Sequence, residues 1–337
     1  MTKTSTADRD AGDRPSHQGR QAWIDRGERY GLIIAWIAVI ALFGVLRPGA
    51  FLSWANFSTI FGSQAVLVIV TLGLIIPLTA GDYDLSIAGV LTLTSMLTAV
   101  LNVNYGWPIE AAVAVSLLVG LLIGALNAAI ILYFRIHSLI VTLGMGTFIH
   151  GVTLWFSNSQ TVSGIDMKLI TAVIITRIFG IPLAFYYAIV VALAIWYVFG
   201  YTAAGQRLLF VGRGREVARL SGIRVDRVRF VAFVVSGGLG ALAGVLYAGT
   251  TGAADPSSGL TYLLPAFAAA FLGATSINPG RFNAIGSVIA VYFLVTGITG
   301  LSILGISTYV QDLFYGGALV VAVMLSQLVR GREERLS

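Results

Sequence analysis

Ten runs of apolar residues, separated by short polar intervals, dominate the pattern of this chain. They cover residues 31–46, 60–79, 85–102, 110–133, 139–157, 181–200, 229–250, 260–275, 284–304 and 308–328. A bilayer core is crossed by about 20 apolar residues in helical form, so each run predicts a membrane-spanning helix. The eighth is short, and Gly and Pro are scattered through several. A membrane tolerates both where neighbouring helices satisfy the freed backbone groups. The fold class predicted is all-α: a polytopic membrane protein of about ten transmembrane helices.

Spans two to five begin from one side of the membrane and spans seven to ten from the other. If these four-helix sets are related, they form an inverted repeat, a common transporter design with its path at the repeat interface. Gly120 and Gly124, and again Gly240 and Gly244, lie four residues apart on one helix face. That spacing predicts close helix contacts.

Composition agrees. Hydrophobic residues make up 57% of the 337 and charged residues 11%, against roughly 25% charged in ordinary globular chains. There is no cysteine, which excludes disulfides, thiol catalysis and thiolate metal sites. Three scattered histidines, His17, His137 and His150, do not make a zinc site. The net charge of +6 does not point to nucleic acid, because the basic residues flank the spans. With the N-terminus inside, 18 of the 21 lysines and arginines fall on inner segments and only Arg47, Lys168 and Arg177 on outer ones. This is the positive-inside distribution, and an even number of spans returns the C-terminus to the cytoplasm. The expected organisation is a disordered cytoplasmic tail over 1–29, with a short interfacial helix near Trp23, a transmembrane domain over 30–328, and a cytoplasmic tail over 329–337. The expected location is the cytoplasmic membrane.

Several chemistries have no motif here. The only lysines are Lys3 and Lys168 and neither follows a glycine, so the chain has no phosphate-binding P-loop. It has no G-x-S-x-G elbow and no H-E-x-x-H pair. The reading is not an enzyme, with no cofactor of its own. Acids between residues 30 and 200 are Asp82, Asp84, Glu110 and Asp166, a poor supply for coupling to an ion gradient.

Two of those acids interrupt the apolar pattern at Gly81-Asp-Tyr-Asp-Leu-Ser86. In one reading Asp84 caps the first turn of span three, where free N–H groups and the helix dipole favour an acid. In the other, the segment is a membrane-embedded break facing a translocation path, and Asp82, Asp84 and Ser86 offer hydrogen bonds to a polyol. The two readings are compatible and both stay open. Asn127 either links helices or lines the path, and His150 is a further path candidate. Thr142, Thr147 and Thr153 are expected to bond back to their own helices.

The longest internal inner segment, residues 201–228, contains REVARLSGI, helix formers followed by a glycine suited to a C-cap. It predicts a short amphipathic helix at the membrane face. Leu220 and Ile223 offer an apolar contact and Arg215 and Arg219 a charged rim, a shape that docks in a partner's groove. The alternative is a basic loop that only fixes topology.

Glu216-Val217-Ala218, followed after three residues by Gly222, resembles the E-A-A-x-x-x-G coupling motif of ATP-binding-cassette importer permeases. GQRLLFVGRGREVARLSGI resembles the simple-sugar, ribose-type branch of that family, and GDYDLSIAG its G-G-x-D-L-S-x-G motif. ALNAAIILYFRIHSLIVTLGMG and AFAAAFLGATS resemble further stretches of it. The resemblance runs from about residue 60 to 328. Departures from the family pattern are Leu263 and Pro265 in place of acids, INPGRFN over 277–283, and His137-Ser138 in place of a proline pair. The resemblance implies two permease subunits, identical or sister, around one path. It also implies ATPase subunits, or one double-domain ATPase, that bind ATP and grip the loop of Arg215, Glu216, Ala218, Arg219, Leu220, Gly222 and Ile223, and an extracytoplasmic sugar-binding protein. Membrane lipid surrounds the assembly. The expected cargo is a monosaccharide. The alternatives are a nucleoside or furanose signalling molecule, or, in another class, an ion-coupled secondary carrier.

Overall fold

A computed structural model describes residues 15–307 and 309–336. In chain order the helices are α1 (Pro15–Leu46), α2 (Pro48–Phe51), α3 (Trp54–Ser63), α4 (Ala65–Thr79), α5 (Ile87–Ala99), α6 (Ile109–Phe134), α7 (Ser138–Phe156), α8 (Met167–Ile170), α9 (Leu183–Tyr201), α10 (Ala203–Arg213), α11 (Arg215–Leu220), α12 (Val225–Thr251), α13 (Leu260–Gly273), α14 (Ala284–Ile303) and α15 (Tyr309–Leu336). Four two-residue strands form two small antiparallel pairs. β1 (Val162–Ser163) pairs with β4 (Ala253–Ala254), and β2 (Arg177–Ile178) with β3 (Ile181–Pro182).

The chain is all-α and multi-spanning, as the apolar runs predict, but the ten segments are unequal. Among the described residues seven helices are long and apolar enough to cross a membrane. The pair α3 and α4, bent by 40°, makes an eighth when counted as one span, and Leu260–Gly273 and Tyr309–Leu325 are shorter apolar helices. Span two is therefore broken rather than continuous. The bend falls at Gln64, which ends α3 and starts α4. There Gly62 lies so close to the Pro182 ring that a side chain would not fit. At the ends, helix replaces part of each expected tail. α1 starts at Pro15, a residue well suited to a helix first turn because its missing N–H would be unbonded there, and α15 runs to Leu336. Residues 1–14 and 337 lie outside the described residues.

The core is built around α4, every residue of which is buried. α12 packs against α4, α5 and α6, and α13 against α4 and α5. The predicted glycine pairs explain the closeness. Gly120 and Gly124 of α6 meet Gly237 and Ala241 of α12, and a methyl group on Gly124 would collide with the Phe233 carbonyl oxygen. Gly240 and Gly244 use a different face of α12, against Ile87, Leu91 and Thr94 of α5. In the hydrocarbon, where apolar burial gives little drive, such backbone approach is what holds helices together. On the outside, α6, α7 and α9 expose Leu122, Phe148 and Val190, as lipid-facing helices must.

The expected inverted repeat has a local counterpart. Just past its last turn α4 meets Gly81 (φ 75°), and α12 meets Gly252 (φ 66°), both left-handed. Each glycine opens the same pattern, G-x-x-D-x-S: Gly81, Asp84 and Ser86 in one, Gly252, Asp255 and Ser257 in the other. In each, the aspartate Oδ1 accepts from the serine backbone N–H, at 3.1 Å for Asp84 and 2.8 Å for Asp255. A helix then restarts, α5 or α13. The two breaks lie at opposite ends of the bundle. The end of α4 abuts Gly212 of α10, whereas Ala254 pairs with Val162 before α9.

Candidate functional site

The first break, residues 81–86, is held inside the bundle by side chains from four helices. α4 ends in a Schellman turn: Gly81 N–H donates to Leu78 O at 3.1 Å and Asp82 N–H to Pro77 O at 2.9 Å. The backbone groups that follow have no helix to bond them. Tyr83 N–H instead donates to Ser138 Oγ at 3.1 Å, and Leu85 N–H to Thr142 Oγ1 at 3.1 Å. The Thr142 hydroxyl lies 3.1 Å from Tyr83 O and 2.9 Å from Ser138 O. A buried backbone group left unbonded is costly, above all in a membrane. The first turn of α7 thus does the work that water does in an exposed loop.

Asp84, 1% exposed, accepts from Ser86 N–H, from Ser86 Oγ at 2.6 Å and from Ser236 Oγ of α12 at 2.7 Å. Asn127 of α6 donates to Ser86 Oγ at 2.7 Å, and its own Oδ1 is buried without a partner among the described residues. Three of the path candidates, Asp84, Ser86 and Asn127, therefore form one buried polar chain that joins α6, the break and α12.

Asp82 has a different environment. Arg229, in the second turn of α12, forks onto both its oxygens, Nε to Oδ2 at 2.6 Å and Nη2 to Oδ1 at 2.8 Å. Arg215, the first residue of α11, adds Nη2 to Oδ1 at 3.0 Å and also donates to Gly81 O at 3.0 Å. The Asp82 and Arg229 side chains are 3% and 10% exposed, that of Arg215 38%. The fork is the geometry in which guanidinium and carboxylate match best.

The predicted inner helix is present as α11, with α10 before it. Its end is a second Schellman turn: Ile223 N–H donates to Ala218 O at 3.0 Å and Gly222 N–H to Arg219 O at 2.9 Å. Gly222, at φ 79°, takes the left-handed position that favours glycine. Ala218 is buried against the bundle, and Ile223 packs inward beside it. The expectation that Ile223 offers an outward apolar contact is therefore corrected. Leu220 is 89% exposed and Val217, not Ile223, is its outward companion at 59%. Glu216 and Asp226 both pair with Arg219, at 3.0 and 3.5 Å, on the exposed side.

His150 lies half-buried on α7 and forms no hydrogen bond or ion pair among the described residues; the structure does not bring it to the polar chain of the break. Thr147 and Thr153 bond back to Leu143 O and Ile149 O, and Thr142 does so while also serving the break. Arg229, Ser236 and Ser138 complete the site and are not singled out by sequence reasoning. The available signal for Arg229 is its place at the lip of span seven, the deepest arginine of the inner cluster.

A helical bundle broken at a buried polar segment, with a separately capped helix exposed at one end, is the arrangement of a membrane permease. Comparison with known proteins is specific. Residues 56–323 match the family described as branched-chain amino acid transport system / permease component, and the chain belongs to that family. Relatives include the D-allose transport system permease protein of Escherichia coli, 31% identical over 302 residues, covering 90% of this chain and 92% of the relative. The ribose import permease protein of the same organism is 30% identical, covering 87% and 92%. Its xylose transport system permease protein is 26% identical, covering 89% and 92%. No solved structure matches the chain.

Proposed function

We propose that this chain is the permease subunit of an ATP-driven importer that passes a monosaccharide of five or six carbons through the cytoplasmic membrane. The relatives name D-allose, ribose and xylose, which share a neutral polyhydroxy frame and differ in carbon number and stereochemistry. Aldose transport is therefore favoured over the branched-chain amino acids of the family description. The observation that carries the ATP-driven reading is α11, a six-residue helix, capped and anchored by Ala218, that holds Leu220 and Val217 out into solvent. An isolated apolar pair on a basic end of the molecule is suited to a groove in a partner.

In this reading the end that carries α11 faces the cytoplasm, as do both termini, in line with the lysine and arginine distribution. A separate ATPase grips α11, an extracytoplasmic protein delivers the sugar, and a second copy or sister permease completes the path. ATP is bound by the ATPase and none by this chain. Asp82 and Asp84 have their oxygens engaged by arginines and by hydroxyl and amide donors. That supports structural roles for them and weighs against an ion-coupled carrier.

The test is reconstitution in liposomes. With the ATPase, the binding protein and internal ATP, labelled D-ribose, D-allose or D-xylose accumulates, and leucine does not. Accumulation by the chain alone on an ion gradient, or of leucine in place of any aldose, refutes the reading.

A further inference from the structure

We propose that Asp82 is a relay residue: clasped between Arg215 of α11 and Arg229 of α12, it carries displacement of the partner-gripped helix into the break at residues 81–86. The inference rests on the function proposed above and adds a working part to it.

The sequence gives the first indication. Asp82 follows directly on the fully buried apolar helix α4 and its capping glycine. An acid at that point adds a charge to the interior of a membrane bundle, which is costly unless it is paired and hydrogen-bonded. The chain supplies the pairing twice, from positions 133 and 147 residues away.

The geometry then assigns the two arginines different tasks. Arg229 holds Asp82 to α12, and Ser236 holds Asp84 to the same helix two turns on. Alternate residues of the extended break are thus fastened to one face of α12. Arg215 stands on the other side. It is the first residue of α11, is more exposed than Arg229, and grips both the Asp82 carboxylate and the Gly81 carbonyl. The other ties of α11 to the bundle are apolar contacts of Ala218 and Ile223, which slide more easily than a directed ion pair, and the 3.5 Å pair of Arg219 with Asp226 at the start of α12, whose side chains are half or more exposed and screened by solvent. A pull on α11 therefore reaches the break first through Arg215. α12 continues from Arg229 to the second break at Gly252, so the same carboxylate also touches the helix that links both ends of the path.

The chain has no cysteine, so a single thiol introduced at the half-buried Leu85 by Leu85→Cys reports on the break. The measurement is its maleimide labelling rate in the complex with the ATPase, nucleotide-free and then with ATP trapped by vanadate. The expected change in the parent is roughly tenfold, within the usual range of coupling between two sites. Arg215→Gln removes the grip and leaves the buried fork intact, and is expected to abolish the nucleotide response. Arg215→Lys, which keeps the charge, is expected to restore much of it. Asp82→Gly combined with Arg229→Leu removes both buried charges together and is expected to behave as Arg215→Gln does. A full response in Arg215→Gln or in the double variant overturns the proposal, as does a parent whose labelling ignores nucleotide. Failure of the underlying function registers differently, as a complex that responds to nucleotide yet moves no aldose.

Discussion

Replacing Asp82 with Ala should expose the energetic structure of the site. Arg229 is one-tenth exposed and spends both its fork nitrogens on Asp82. Removing the acid strands a buried guanidinium, a change that costs about 3–5 kcal/mol when one partner of a buried pair is lost. Arg215 is more than a third exposed, so solvent screens it and its own loss is worth at most about 1 kcal/mol. Unfolding entropy of roughly 2.1 cal/mol/K per residue turns these figures into falls in Tm of about 4–7 °C for Asp82→Ala and about 1 °C for Arg215→Ala. The double change Asp82→Ala with Arg229→Leu removes the stranded charge and should recover most of the loss. Thermal unfolding of the purified chain in one detergent, followed by intrinsic tryptophan fluorescence, gives all three values. The reasoning fails if Asp82→Ala melts with the parent, or if the double variant is less stable than Asp82→Ala alone.

Three further outcomes are expected. Thr142→Val keeps the side-chain shape but removes the acceptor of Leu85 N–H, and should cost about 1–3 kcal/mol in the same melting assay, whereas Thr147→Val, whose hydroxyl serves only its own helix, should cost little. Gly222→Ala forces a Cβ into a left-handed backbone at φ 79°. It should destabilise the end of α11 by about 1 kcal/mol and weaken ATPase capture in pull-down. Leu220→Asp leaves the fold intact, since the residue is 89% exposed, and should lower affinity for the ATPase by more than tenfold if it occupies a hot-spot pocket; unchanged affinity would remove α11 as the docking element.

Local features of this protein are legible in its sequence where one residue type is nearly forced. Gly81 and Gly222 stand where a helix must reverse into left-handed backbone, and both turns follow from helix formers running into a glycine. The apolar runs are equally plain, because the membrane requires them. What cannot be read is pairing over distance. Asp82 meets Arg229 147 residues on, and Asp84 meets Ser236 152 residues on; the depth of Arg229 in span seven marks it as unusual but not whom it meets, and nothing local marks Ser236. The bend at Gln64 is also silent, since it depends on Gly62 fitting against Pro182 across the bundle. Ile223 departs from the expectation for a related reason: a helical face tells which residues lie together, but the Schellman turn after α11 redirects the chain and folds that side chain under.

The bonds from Ser138 and Thr142 to the backbone of residues 83–85 have a mechanical meaning. Advancing α7 by one turn would orphan three main-chain groups at once in a dry interior, so α7 and the segment it stitches must travel as a single block, and Asn127 and Ser236 bring α6 and α12 along. The polar stitching therefore makes α6, α7, residues 81–86 and the adjoining part of α12 one body, and a displacement delivered to that segment is delivered to all of it.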